Sequence, residues 1–138
     1  MEELEKIEAN ETNIFLFHFT IFYRKAVDYY LTNKNISFAI WICEANKDFI
    51  KVAQIYEEYK KFEKAGNNYK NGKDFDNAVR CYEKSGNYDK IITMLFKNNQ
   101  YNEAAKYVKF IKTPVYNRKL KNIINSLNLI NEQGKSFF

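Results

Sequence analysis

One spacing of apolar residues recurs seven times between Tyr23 and Val108. Each copy has a large apolar residue, small or apolar residues three and four positions later, and another apolar residue seven positions later. Copies are 13 residues apart, and six of the seven leading residues are aromatic, where the 17% aromatic content predicts about one. The leading residues are Tyr23, Ile36, Phe49, Phe62, Phe75, Tyr88 and Tyr101. These offsets share one face of an α-helix, so each copy predicts a short amphipathic helix followed by a turn.

The short spacing also predicts how the helices associate. A helix of about ten residues is marginal alone in water, so each must pack against its neighbours. We therefore predict an all-α chain, an α-solenoid of about seven short helices arranged as helical hairpins of about 26 residues. The leading aromatic residues are expected in the core. Ala78 and its equivalents are expected to be small because a neighbouring helix passes close to them.

Turn residues support separate helices at most boundaries. Four Asx residues directly precede leading residues, where their side chains can cap a new helix; they are Asn35, Asp48, Asp74 and Asn87. Gly72 and Gly86 are expected as left-handed C-terminal caps. Because no helix breaker lies between Tyr56 and Phe62, a single helix over about residues 49–65 is an alternative to two.

Three segments of the chain resemble a known class of repeat. They are residues 62–66 (FEKAG), 72–90 (GKDFDNAVRCYEKSGNYDK) and 100–105 (QYNEAA). This pattern resembles tetratricopeptide-type short-helix solenoids, as found in the scaffolds of intraflagellar transport and of coatomer-type trafficking. It is also similar to helical repeats that accompany some superfamily 1 helicase-like proteins. The resemblance implies a scaffold for protein partners, but the 13-residue spacing departs from the standard repeat, so no ligand-binding residues are carried over.

The two ends of the chain differ from the repeats. Residues 1–22 are acidic and then apolar, and we expect this segment to pack on the first repeat. We expect residues 23–112 to form the repeats. Residues 113–138 are expected to form a capping helix and a tail. The apolar run at residues 14–22 is too short to cross a membrane. It predicts a buried helix that closes the solenoid or, alternatively, an exposed face for self-association or for a partner. Phe137 and Phe138 in the tail are expected to be frayed or to reach a neighbour.

Charge and cysteine content limit the classes of partner. The formal charge is +5, but the 22 basic residues are accompanied by 17 acidic ones, and arginine occurs only at Arg24, Arg80 and Arg118. Dispersed lysines and scarce arginine argue against a nucleic-acid partner. Cys43 and Cys81 fall on the apolar face, as expected for buried thiols in a reducing cytoplasm.

The sequence contains no recognisable catalytic, cofactor or metal motif. Its one histidine, His18, lies within the apolar run without a neighbouring acid, so a core or interfacial role is expected. Gly72 and Lys73 lack the remaining residues of a phosphate-binding loop. We therefore expect a protein that is not an enzyme.

Candidate partner-binding residues lie where polar outward positions are expected. Phe38 and Trp41 are one helical turn apart on the outward side, so they predict either an exposed anchor pair or a helix buried between two layers. Asn77 and Arg80 are polar outward candidates in a later copy. The sequence thus favours a non-enzymatic scaffold or adaptor that binds a protein or peptide. The alternatives are an RNA- or DNA-binding helical repeat, or an accessory segment of a larger helicase-like or trafficking protein.

Overall fold

The computed structural model describes residues 2–112 and 114–136. These residues form helices and turns, with no β-strand among them, which confirms the all-α prediction. The helices are α1 (Glu2–Thr32), α2 (Ile36–Ala45), α3 (Phe49–Glu58), α4 (Phe62–Asn71), α5 (Phe75–Ser85), α6 (Tyr88–Lys97), α7 (Tyr101–Lys106) and α8 (Arg118–Ser136). A short 3-10 helix, Val108–Phe110, follows α7.

The chain divides into two compact units, residues 1–48 and residues 49–138. In the first unit α2 packs against α1, and Val27, Ala39 and Cys43 are buried. In the second unit each helix from α3 to α8 contacts the next, and α8 also contacts α6. A continuous set of buried residues extends from Ala53 in α3 to Leu127 in α8. Each unit therefore has its own apolar interior.

Burial follows the sequence offsets, except at the leading residues. Residues three, four and seven positions after a leading residue are mostly buried, and Ala65, Ala78 and Tyr82 are almost completely inaccessible. The leading residues from Tyr23 to Tyr88 are only half-buried, and Tyr101 is 40% exposed. Phe62, Phe75 and Tyr88 pack against the buried core, but the leading aromatic residues do not lie within it as expected. From α2 to α7 each leading residue is the first of its helix, so its side chain lies beside a turn and borders solvent.

The six turns that connect α1 to α7 share one backbone geometry. Each contains a residue with a left-handed φ between 54° and 75°, and these residues are Lys34, Lys47, Lys60, Lys73, Gly86 and Asn99. In each turn the next residue donates its N–H to the carbonyl five residues earlier, as Asp74 does to Tyr69 at 2.9 Å. This bond belongs to the Schellman type of helix ending. Gly86 is thus a left-handed cap as predicted, whereas Gly72, with φ −81°, is not, because Lys73 takes that role.

The same turns show which of the predicted helix boundaries and helix caps are present. A left-handed residue, Lys60, separates α3 from α4, so the alternative of one helix over residues 49–65 is wrong. Asn35 and Asp74 cap α2 and α5 through their side chains. Asn87 makes no capping hydrogen bond to α6, because its Oδ1 accepts from the hydroxyl of Ser85. The carboxylate of Asp48 accepts the hydroxyl of Tyr23 at 2.7 Å, which ties α1 to the turn that follows α2.

The N-terminal apolar run lies within α1 and is not buried. The helix continues without interruption through the predicted boundary between residues 22 and 23. The run's exposed apolar side chains are 50 to 71% accessible, and they are Ile14, Leu16, Phe17, Phe19 and Phe22. The expectation of a buried closing helix is therefore wrong for these residues. The ten residues of α2 can cover only about 15 Å of a helix that is about 46 Å long.

In residues 2–112 and 114–136, no helix combines the length and apolar character needed to cross a bilayer.

The C-terminal helix α8 packs on α6 and α7 through the predicted apolar stripe. Ile123 and Leu127 are buried, and Leu120 and Ile130 pack against the same core. Val115 and Tyr116 precede the helix, which begins only at Arg118. The tail is helical up to Ser136, and the prediction about Phe137 and Phe138 lies outside the described residues.

Gly66 of α4 lies close to the Tyr82 ring of α5. A Cβ atom at Gly66 would lie 2.7 Å from that ring. The ring is completely buried, and its hydroxyl donates to Oδ1 of Asn67 at 2.6 Å. Because Tyr82 is enclosed by the core and bonded at its hydroxyl, we expect its ring to yield little space to a larger residue at position 66.

We predict that Gly66→Ala lowers the free energy of unfolding by about 1 to 3 kcal/mol through overpacking. At an uncrowded position within a helix the same change raises the free energy of unfolding by up to about 1 kcal/mol. A decrease in Gly66→Ala would therefore itself indicate close packing. Gly72→Ala is the matched control, because the nearest atom to its Cβ would be the terminal Cδ1 of Ile50, which can rotate away, and Phe49 Cβ lies at an ordinary contact distance of 3.4 Å. Urea unfolding of both variants measures the difference, and a stabilised Gly66→Ala protein would contradict the close packing.

Candidate partner-binding surfaces

Four aromatic rings form a continuous row across the first helical hairpin. Tyr29 and Tyr30 lie at the end of α1, and Phe38 and Trp41 lie on α2. The ring centroids are 5.2 Å apart for Tyr29 and Tyr30, 4.5 Å for Tyr30 and Phe38, and 5.3 Å for Phe38 and Trp41. These separations lie in the range that favours aromatic pairs. We refer to Tyr29, Tyr30, Phe38 and Trp41 as the aromatic row.

The aromatic row is open to solvent along most of its length. Tyr29 is 62% exposed, Trp41 59% and Phe38 39%. The interpretation that α2 is buried on both sides is therefore wrong, and the predicted anchor pair Phe38 and Trp41 is exposed. Because each ring packs against the next, the row presents aromatic surface whose side-chain freedom is already restricted. A partner would thus lose little extra side-chain entropy on binding it.

The sequence pattern predicts only half of this surface. Phe38 and Trp41 break the outward polar pattern, whereas Tyr30, seven positions after Tyr23, falls on the predicted packing face. A signal was available, because a three-residue turn brings the last residues of α1 beside the first residues of α2. Adjacent tyrosines just before such a turn therefore place one ring on the outside of the hairpin.

The other two predicted binding residues, Asn77 and Arg80, belong to a polar network in the second unit. Arg80 forms an ion pair with both carboxylate oxygens of Glu57, one of them at 2.9 Å from Nη2. Asn77 accepts from Arg80 Nε at 3.2 Å and donates to Asp74 Oδ2 at 2.6 Å. The network joins α5 to α3, so these side chains already have partners within the chain.

The network also changes the protonation behaviour of Glu57. Hydrogen bonds from Arg80, and a further one from Tyr69 Oη at 2.9 Å, lower the pKa of Glu57 to about 2. Burial, together with the Glu57 acceptor, raises the pKa of Tyr69 to about 12. Glu57 is therefore ionised at neutral pH and acts as a fixed acceptor for two donors.

The remaining candidate residues do not assemble into a reactive site in the described part of the chain. Cys43 and Cys81 are buried as predicted. His18 is exposed rather than in a core, and its ring lies 6.0 Å from that of Phe17. Across residues 2–112 and 114–136, no cluster of three or more His, Cys, Asp or Glu side chains could hold a metal ion.

The surface depressions of the second unit include a groove and a cleft that both contain aromatic and charged residues. A groove of about 390 Å³ lies between α4 and α6, with Lys70, Lys90 and Lys97 around Phe75 and Met94. Lys90 in this groove is already paired with Glu63 at 2.8 Å. A cleft of about 450 Å³ lies beside Tyr88, Phe110 and Tyr116.

Comparison of the chain with protein-family models, curated proteins and solved structures finds no match.

We predict that Glu57→Gln lowers the free energy of unfolding at pH 7 by about 1 kcal/mol, a modest amount because the ion pair is partly exposed. Since the pKa of Glu57 is lower in the folded state, its ionisation stabilises the fold above pH 5, and that contribution is lost as pH falls towards 2. The difference between variant and parent should therefore shrink below pH 3. Thermal unfolding across this range measures it, and a constant difference would contradict the assignment.

Proposed function

We propose that this protein is a non-enzymatic scaffold or adaptor that binds a partner protein through the aromatic row. The single observation that carries the proposal is the continuous row of four rings with Trp41 at its exposed end. Tryptophan and tyrosine are the residues most often found at energetic centres of protein interfaces. The helix α2 contains only one charged residue, Glu44, so the row suits a partner that presents apolar side chains.

We further propose that the repeats form a tetratricopeptide-like α-solenoid. The first residues of α2 to α7 are 13 residues apart, and the turns share one geometry, which supports a repeated unit. Polar side chains also join alternate helices in the second unit. Glu57 of α3 binds Arg80 of α5, Glu63 of α4 binds Lys90 of α6, and Glu83 of α5 accepts from Tyr107 at the end of α7. Such links are expected when every second helix lies in the same layer.

The exposed run in α1 supports self-association as part of this function. Its large apolar side chains point in several directions around the helix, and a helix that is apolar on all sides is normally covered. We propose that another copy of the chain covers residues 14–22. Replacement of Phe17 by Glu should then shift the protein towards monomer in sedimentation velocity, without loss of helix content because Phe17 is exposed. A parent protein that sediments as a monomer at all concentrations tested would contradict this.

Buried thiols at Cys43 and Cys81 are compatible with a reducing compartment, and we propose that the protein acts in the cytoplasm.

The proposed function predicts that Trp41→Ala weakens partner binding by about 2 kcal/mol or more. The melting temperature should change little, because the indole is 59% exposed. Partners are first captured from native extract with the parent protein and then titrated against purified variants. Tyr59→Ala is the matched control, since Tyr59 is an exposed aromatic residue outside the row.

Fluorescence provides a second readout, because Trp41 is the only tryptophan in the chain. Its emission in the isolated protein should be red-shifted and quenched by iodide, and partner binding should protect it. If Trp41→Ala lowers the melting temperature and leaves binding intact, Trp41 is a core residue and the proposal is wrong.

A further inference from the structure

The positive charge of this chain is concentrated near its C-terminus. Residues 104–131 contain six basic residues and no acidic residue, a formal charge of +6 that exceeds the +5 of the whole chain. The rest of the sequence is therefore close to neutral. The expectation of dispersed basic residues holds for the earlier repeats and fails for this segment.

Most of these cations make no ion pair with an acidic residue in the part of the chain that the structure describes. Lys106 pairs with Glu103 at 2.9 Å, and Lys109 Nζ lies 5.2 Å from the centroid of the Phe110 ring. The other four are exposed and make no ion pair among the described residues; they are Lys112, Arg118, Lys119 and Lys121. They produce a local positive potential that the fold itself does not neutralise.

The cleft of about 450 Å³ borders this basic segment. Its lining includes Tyr88, Phe110, Tyr116 and Leu120, together with Lys112. Asp89 is the acidic residue of the lining. Tyr116 is 92% exposed, which is unusual for so large a ring in a folded chain. Aromatic surface and one cation without an ion pair among the described residues, Lys112, therefore occur together in the cleft, and Arg118 follows the lining residue Asn117 in sequence.

We propose that this cleft, which we call the C-terminal cleft, binds an acidic segment of a partner protein that carries an aromatic or aliphatic anchor residue. The anchor would pack against Tyr116 and the floor of the cleft, and the surrounding acids would meet Lys112 in the lining and Arg118 beside it. This inference rests on the proposed scaffold function and adds a second, chemically different surface to it.

The geometry favours a protein segment over single-stranded RNA. RNA binding of this kind uses several open rings on which successive bases stack. Here Tyr88 and Phe110 stack on each other with centroids 4.7 Å apart, and Lys109 lies over Phe110. Tyr116 is then the one ring in the cleft lining with two accessible faces. Five of the six cations are lysines, which lack the bidentate geometry that arginine offers to phosphate.

Fluorescence anisotropy with defined probes tests the proposal. The main probe is a short fluorescein-labelled peptide of alternating Asp and Glu with one central Phe. Matched probes replace the Phe by Ala, or the acids by Lys, and a fourth is labelled oligouridine. We expect binding of the main probe, a loss of about tenfold or more without the Phe, and no binding of the basic peptide.

Variants of the full chain then locate the site. Tyr116→Ala, and the double change Lys112→Glu with Arg118→Glu, should each weaken binding of the main probe by about tenfold or more. The control is Lys60→Glu with Lys61→Glu, which makes the same charge change in the turn between α3 and α4 and should have a small effect. Circular dichroism melts check that each variant is folded, and Tyr116→Ala should be silent there because the ring is exposed.

Several outcomes would overturn the proposal. The first is that the main probe does not bind, and the second is that the control charge variant at Lys60 and Lys61 loses as much probe affinity as the charge variant at the cleft. The others are that Tyr116→Ala loses no probe affinity, and that oligouridine binds more tightly than the peptide. Trp41→Ala should leave probe binding unchanged, and Tyr116→Ala should leave capture through the aromatic row unchanged. Failure at the C-terminal cleft is therefore distinguishable from failure of the proposed scaffold function.

Discussion

Helices of ten residues make too few internal hydrogen bonds to remain folded alone in water, so each must bury its apolar face against a neighbour. The sequence meets this constraint by setting small residues opposite large ones. Gly66 admits the Tyr82 ring at a distance that no other residue type allows, and Ala65 and Ala78 are completely buried beside it. Short elements thereby share a continuous core from α3 to α8.

Polar side chains at the edge of this core form contacts between helices that are further apart in the sequence. The link from Glu57 to Arg80 joins helices that are not consecutive, as does the link from Glu63 to Lys90. Partly exposed ion pairs of this kind contribute little to stability. Two of the exposed surfaces differ in charge, because the aromatic row lies on a hairpin whose α2 has one charged residue, whereas the C-terminal cleft borders the basic segment. This difference would allow one chain to distinguish two partners by chemistry.

Much of the helical arrangement could be predicted because offsets of three, four and seven report burial directly, as at Ala78 and Tyr82. The partial exposure of the leading residues could not be predicted, because it depends on the position of each residue at the start of its helix. Lys73 takes a left-handed conformation beside a glycine that could have done so, since the flanking helices impose the turn. The ion pair of Arg80 could not be predicted, because its partner, Glu57, lies 23 residues away in the sequence. Tyr29 was missed because its exposure arises only when two helices meet.

The shared turn geometry has a consequence for how such a chain can change in length. Helices joined by such two- or three-residue turns reverse direction at each turn. Deletion of one helix with its turn would leave ends that still fit the same backbone geometry, yet every later helix would point the opposite way. Deletion of two would restore the direction. Gain or loss of helices in pairs would therefore keep the direction of the helices that follow, whereas single steps would reverse it.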